Sequence, residues 1–333
     1  MRNGWMVPNV FRGIGIALAV VVAGGAGGPI LGADAATIER VPPVRLELTT
    51  GDRFDLTAWH YPVRQGATPL ATVLLIHDLG GSHESVEPLA LALQEAECSV
   101  VVPDLRGHGE SVTSDMERAA GNRQPADLLK KQDFLAMIAS GGSKVRRQAP
   151  LRGDIEAVRL WLVERTGTAE GIDRLYVVGS GLGAALAAHW TNADAAWPPL
   201  TNRQQGGDVK GLVLIEPAFA TKGFPILPAL SQEPVRTELP VMIIAGPTCR
   251  DADKVFEQLK RWRPTEWFDS RLLNRSAAKQ GDATLIFAEL DGKNQRGGIV
   301  QGDAFASLRA DNRRPDPAFL ITAFIKASSD RRP

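Results

Sequence analysis

Leu175-Tyr-Val-Val-Gly-Ser-Gly-Leu-Gly-Ala184 drives an apolar run straight into a turn of alternating glycines, and a helical pattern follows from Gly183 to Asn192. A strand that passes so abruptly into a helix predicts a parallel strand whose helix packs back on the sheet. The chain repeats that unit. Ala71–Ile76, Ser99–Val102, Arg174–Val178, Gly211–Ile215, Val241–Ala245 and Ala283–Glu289 are mostly continuous apolar runs, as expected when helices cover both faces of a sheet. Between them Ser85–Glu95, Asp154–Arg165, Gly183–Asn192, Asp253–Arg261 and Pro317–Ser328 carry apolar residues three and four apart. Upstream, Val44–Thr49 and Phe54–Tyr61 alternate apolar and polar residues around Gly51-Asp52, which predicts an antiparallel hairpin at a sheet edge. The fold class is therefore α/β, a doubly wound and mostly parallel sheet.

Two further stretches precede the elbow: Thr72-Val-Leu-Leu-Ile-His-Asp-Leu-Gly-Gly81 and Val102-Pro-Asp-Leu-Arg-Gly-His-Gly-Glu-Ser111. With Leu175–Ala184 they resemble, in order and spacing, three landmarks of the α/β-hydrolase superfamily. The resemblance covers roughly residues 44 to 327 and implies an eight-stranded sheet with catalytic groups on strand ends. Gly206-Gly-Asp-Val-Lys-Gly-Leu-Val-Leu-Ile-Glu-Pro217, following Trp197, is also similar to a group of secreted bacterial hydrolase-like proteins.

The residues that carry the superfamily's chemistry are another matter. Its nucleophile elbow reads G-x-S-x-G, with the serine exposed at a helix N-terminus. Here the turn is Gly179-Ser180-Gly181-Leu182-Gly183, so glycine occupies the nucleophile position. Ser180 stands one residue early. It is either a displaced nucleophile or a small residue whose hydroxyl bonds locally to the backbone. The resemblance also implies a general-base histidine after the last strand. The five histidines are His60, His77, His83, His108 and His189, and the loop expected to hold the base, Leu290 to Gly298, contains none. An unassisted serine is a weak nucleophile at neutral pH. For the acid, Asp251 and Asp253 follow the Val241–Ala245 strand and read either as remnants or as N-terminal caps of the next helix. Nearby Cys249 reads as an inert thiol.

His77-Asp78-Leu79 corresponds to the loop that supplies one oxyanion-hole N–H in the superfamily. Asp78 replaces the usual glycine there, and a carboxylate beside such a site opposes developing negative charge. His77 and His108 read as structural, His83 as exposed, His189 as remote from the elbow, and His60 as part of an edge strand. The glycine run lacks the spacing of a dinucleotide fingerprint, and no phosphate-binding G-x-x-x-x-G-K-[ST] loop occurs. No cofactor is expected, and Asp78, His83, Asp104 and His108 are the only residues near this edge that could begin a metal site.

The 333 residues hold 38 basic and 38 acidic side chains, so charge marks no nucleic-acid partner. The two cysteines, Cys98 and Cys249, fall toward opposite edges of the expected sheet and form no disulfide framework. Arg2 and Arg12, the uncharged run Gly13–Gly32 and the small residues Ala33-Asp34-Ala35 read as an export signal cleaved after residue 35. The protein would then be periplasmic or secreted, with membrane contact only through an uncleaved N-terminus. Residues 36–333 form one domain, with an insertion at about 112–151 read as a solvated loop or a substrate cap. Two functions stay open. One is a non-catalytic binding or scaffold protein, taking a small apolar ligand or a protein segment in the cleft above Gly181. The other is a hydrolase of esters or related acyl compounds acting through Ser180 or by a non-standard mechanism.

Overall fold

The computed structural model describes residues 41–139, 152–168, 171–197, 206–272, 283–293, 298–309 and 315–329. The expected signal segment lies outside the described residues, as do residues 140–151 of the insertion and 294–297 of the loop after the last strand.

The hairpin forms as β1 (Val44–Thr49) and β2 (Asp55–Tyr61). Then follow β3 (Ala71–Ile76), α1 (His83–Glu95) and β4 (Cys98–Pro103). The insertion holds α2 (Ser114–Ala120), α3 (Pro125–Leu128) and α4 (Lys131–Met137), and α5 (Asp154–Val163) leads out of it. The elbow joins β5 (Leu175–Ser180) to α6 (Leu182–Ala195). Next come β6 (Val209–Ile215), the two-residue strands β7 (Ala220–Thr221) and β8 (Phe224–Pro225), and α7 (Leu227–Leu230). The chain ends with β9 (Val241–Ala245), α8 (Arg250–Trp262), β10 (Trp267–Asp269), β11 (Leu285–Glu289), α9 (Gly302–Ala306) and α10 (Pro317–Ser329).

The main sheet has nine strands in the order β1-β2-β4-β3-β5-β6-β9-β11-β10. β2 runs antiparallel to both its neighbours, and all other pairs from β4 onward are parallel. The expected eight strands are present, and β10 adds a ninth. At three residues it is too short to show periodicity in the sequence. His60 is not on an edge strand, because β1 lies outside β2. Cys98, on β4, is an interior-strand residue, and both cysteines are free.

Alternation along each strand sends successive side chains to opposite faces. Leu74 and Ile76 of β3 belong to the same buried cluster as Ile155 of α5, Leu186 of α6 and Phe256 of α8, whereas Val73 and Leu75 belong to a second one with Leu89 of α1 and Ile321 of α10. Both faces are dry, which explains why the central strands read as unbroken apolar runs.

The insertion is not a solvated loop. Ala126, Leu129, Phe134 and Met137 are buried in the core, and Phe134 meets Phe224 of β8 edge-on at 5.7 Å. Lys222, at the β7–β8 turn, donates to the carbonyls of Ala126 and Asp127 at 3.0 and 2.8 Å. The insertion and this hairpin are therefore clamped together.

The Asp104–Ser111 loop is fixed by its buried charges. Asp104 accepts from the backbone N–H groups of His83 (2.6 Å) and Glu110 (2.9 Å), and pairs with His83 Nδ1 at 2.9 Å. His83 is thus buried rather than exposed, stacked on Trp59 with ring centres 4.6 Å apart. Arg106 forks onto fully buried Asp154 of α5 through Nε (2.8 Å) and Nη2 (2.6 Å), and its Nη1 reaches Asp52 of the β1–β2 turn at 2.7 Å. Removing one partner of such a pair strands a buried charge. Arg106→Ala is therefore expected to lower unfolding stability by about 3–5 kcal/mol in urea titrations. Arg106→Lys, which keeps the charge but loses the fork, should recover only part of that.

Candidate functional site

The C-terminal ends of β3, β5, β6 and β9 meet the start of α9 at one place, and the elbow lies at its centre. Gly179 and Gly183 permit the tight turn. A Cβ on Gly179 would come within 2.3 Å of the Gly183 carbonyl oxygen, and one on Gly183 within 2.4 Å of the His77 carbonyl oxygen. Gly181 has φ +54° and ψ −115°, a conformation in which a side chain is strained, as expected of a nucleophile elbow.

The space above Gly181 is not vacant. Asp78 fills it: a Cβ built on Gly181 would lie 2.1 Å from the Asp78 carboxyl carbon and Oδ1. Oδ1 accepts the backbone N–H groups of Leu79 and Leu182, each at 2.7 Å. One donor belongs to the loop after β3 and the other is the first residue of α6. Both are where the superfamily's oxyanion hole is built, and a carboxylate oxygen of the chain itself occupies the point where they converge. The expectation of an open cleft above Gly181 is corrected by this side chain.

Ser180 is fully buried and its hydroxyl finds no hydrogen-bond partner among the described residues. The expected local bond to the backbone does not form. By strand alternation its side chain leaves the sheet on the same face as Val178.

The loop after β11 brings a glycine, Gly302, to the elbow. It has φ +56°, and a Cβ there would lie 2.7 Å from Asp78 Oδ2. The position facing the elbow is therefore just beyond the Leu290–Gly298 stretch. The carboxylate beside it is Glu216, at the end of β6. Glu216 accepts the Gly302 N–H through Oε2 (2.9 Å) and the Gly246 N–H through Oε1 (3.2 Å). Asp251 and Asp253 stand elsewhere. Both are in the first turn of α8, whose N-cap is Cys249, so neither caps that helix. Asp251 accepts from Phe219 N–H (3.0 Å) and pairs with Lys254 (2.8 Å), while Asp253 pairs with Arg271 (2.6 Å).

Asp303 completes the cluster, accepting the Asp78 N–H at 2.9 Å and the Ser85 hydroxyl at 2.6 Å. Among the described residues, none of Asp78, Glu216 and Asp303 forms an ion pair or a hydrogen bond with a Lys or Arg. Burial, opposed by the two N–H bonds and reinforced by Asp303, holds the Asp78 carboxyl above the usual range. Burial also raises Glu216, with Asp78 adding to it. Sequence reading missed Glu216, Gly302 and Asp303. Their only local signals were an acid closing an apolar run and a Gly-Asp pair beyond the last strand.

The histidines take no part in the cluster through their rings. His77 accepts the Leu105 N–H through Nε2 (3.2 Å), so Nδ1 carries the proton that it donates to the Asp78 carbonyl (2.7 Å). His108 bonds the Arg106 carbonyl at 3.1 Å, and burial holds it down to about 3. His60 pairs with Ser99 at 2.9 Å and is lowered to about 4 by burial. His189, also lowered by burial, donates to the Pro225 carbonyl at 2.9 Å. Among the described residues no group of three His, Cys, Asp or Glu side chains could hold a metal ion.

The model of the Alpha/beta hydrolase family matches residues 73–331. This chain belongs to that family. Esterase YjfP of Escherichia coli K12 is 27% identical over 143 residues, which is 43% of this chain and 48% of the esterase, so the match spans about half of that protein. Among solved structures, DcsB in complex with its substrate analogue gives a TM-score of 0.50 at 12% identity, covering 86% of this chain and 99% of DcsB. The Pyrococcus furiosus esterase Pf2001 gives 0.45 at 15% identity, covering 75% and 82%. At 12% identity the likeness to DcsB is one of fold alone. Within this family fold Gly181 at the elbow and Gly302 after β11 are both packed against Asp78, and Glu216 stands beside Gly302.

Two measurements follow from the geometry. Gly181→Ser must adopt a positive φ and displace Asp78 from its two donors, at an expected cost of about 3 kcal/mol. Combining it with Asp78→Gly should reveal a favourable coupling of about 1–3 kcal/mol in a double-mutant cycle. The second concerns pH. A carboxyl raised in the folded state stabilises fully below its unfolded value, and that contribution is lost as pH rises through the folded value. Asp78→Asn, whose amide oxygen can still accept both N–H groups, should therefore be more stable than the parent at pH 7. The gap should close as the pH falls toward about 4, where an ordinary aspartate titrates.

Proposed function

We propose that this chain is a non-catalytic member of the Alpha/beta hydrolase family, kept as an exported binding or scaffold protein. The observation that carries this reading is the seat of Asp78. Its carboxylate fills the space of the absent nucleophile and uses the two donors that would stabilise a substrate oxyanion. Acyl transfer needs a nucleophile, a base to activate it and open oxyanion donors. Position 181 has no side chain, position 302 has no imidazole, and the donors are engaged. Losing one triad member already forfeits most of the rate, and the remainder depends on the oxyanion hole.

The half-buried apolar side chains of Leu79 and Phe219 lie on loops after β3 and β6 at the same sheet edge, where a small apolar ligand or a partner's segment would rest. Export through residues 1–35 belongs to the same proposal and is checked by N-terminal sequencing of the protein recovered from the cell envelope and medium. A start at residue 36 is expected.

The esterase relatives make ester hydrolysis through Ser180 the reading to test against. The test is a fluorophosphonate probe, with short and medium nitrophenyl esters alongside, on the parent and on Ser180→Ala. No labelling and no turnover above buffer is expected from either. Labelling and turnover in the parent that vanish in Ser180→Ala would make Ser180 a nucleophile and overturn the proposal. Because the Ser180 hydroxyl is buried with no partner among the described residues, Ser180→Ala should also be neutral or up to about 1 kcal/mol more stable in urea unfolding.

A further inference from the structure

Two N–H groups from different elements converge on one point, and the acceptor placed there is a side chain on a loop. Asp78 is joined to the loop after β3, and its backbone N–H is held by Asp303 of α9. Among the described residues, its Oδ1 is bound only by the Leu79 and Leu182 N–H groups. The charged and titratable groups facing this carboxylate are Asp303 from α9, Glu216 from the end of β6 and His77 from its own loop. No Lys or Arg among the described residues bonds it. An anion so placed is attracted by two donors and repelled by two neighbouring carboxylates, so its hold on the cradle rests on tethering. A tethered group competes at an effective concentration of millimolar or more without needing high intrinsic affinity. Gly181 and Gly302 leave its space free, since a Cβ at either position would meet the carboxylate.

We propose that Asp78 is an autoinhibitory contact: its carboxylate holds shut an anion cradle formed by the Leu79 and Leu182 N–H groups, which takes a carboxylate-bearing small molecule once Asp78 is removed or displaced. This rests on the non-catalytic reading of the elbow, because a nucleophile at 181 would need the same space. The displaced ligand class is a carboxylate, since that is the group the cradle already fits.

The test is acetate titration of the full-length chain and of Asp78→Gly, Asp78→Ala and Asp78→Asn, followed through the Leu79 and Leu182 amide resonances, with chloride at matched ionic strength. Asp78→Gly, and Asp78→Ala whose methyl cannot reach the donors, should bind acetate saturably and at least about tenfold more tightly than the parent. Asp78→Asn keeps an acceptor in the cradle and should respond as weakly as the parent. The proposal is overturned if the folded Gly or Ala variant shows no acetate response. It is equally overturned if the parent responds as strongly as they do, or if chloride reproduces the effect. If Asp78→Gly does not fold, Asp78→Ala alone decides the matter by the same criteria. Ester turnover bears on the non-catalytic reading and acetate binding on this contact, so the failure of either is read separately.

Discussion

One carboxylate oxygen, Oδ1 of Asp78, satisfies two backbone donors that the fold itself creates. The strand–turn–helix of β5 and α6 leaves the Leu182 N–H at a helix N-terminus without an intrahelical partner, and the turn after β3 directs the Leu79 N–H at the same point. These donors come with the backbone path and not with any particular side chain. A buried donor without an acceptor costs about 1–3 kcal/mol. In an open oxyanion hole, water or substrate would meet them. Here a side chain meets them, and the glycines at 181 and 302 give it room.

That arrangement gathers negative charge. Three carboxylates, those of Asp78, Glu216 and Asp303, share one strand-end region, and among the described residues they are held by neutral N–H and O–H donors and by no Lys or Arg. Each bond has a clear partner, yet the charges oppose one another. Burial raises the Asp78 and Glu216 carboxyls, and the neighbouring carboxylates add to that shift. The contrast with Arg106 is direct, since there a guanidinium fork compensates two carboxylates and locks a loop. The Arg106 site is locked by its ion pairs, whereas among the described residues no Lys or Arg bonds the Asp78 carboxylate.

The fold was legible because both faces of the sheet are dry, and apolar runs such as Val241–Ala245 have no other explanation. Gly181 was legible because the elbow is a local motif, readable from five residues. Asp78 was expected in the loop after β3 that faces the elbow, but its seat on the Leu79 and Leu182 N–H groups depends on a rotamer that sequence does not specify. Glu216, Gly302 and Asp303 were invisible for a different reason. Each is unremarkable along the chain, and they meet only because β6, β9 and the segment after β11 end at one level. Asp251 shows the converse error, since correct spacing after β9 placed it in a helical turn pointed at Lys254 and Phe219. The insertion was misjudged because α2 and α3 are short and rich in polar residues, and the amphipathic piece Asp127–Ala139 gave no sign that Phe134 and Met137 reach the core.

The central claim is that the Asp78 carboxylate sits on the Leu79 and Leu182 amides in the folded protein. An NMR pH titration that follows the Asp78 carboxyl carbon together with those two amide protons tests it most directly. The account predicts one shared midpoint for all three signals, above the ordinary aspartate range, with both amide protons moving upfield as the carboxylate is protonated. Amide signals that stay flat while Asp78 titrates as an ordinary surface aspartate would contradict it, and would return the space above Gly181 to solvent or to a ligand.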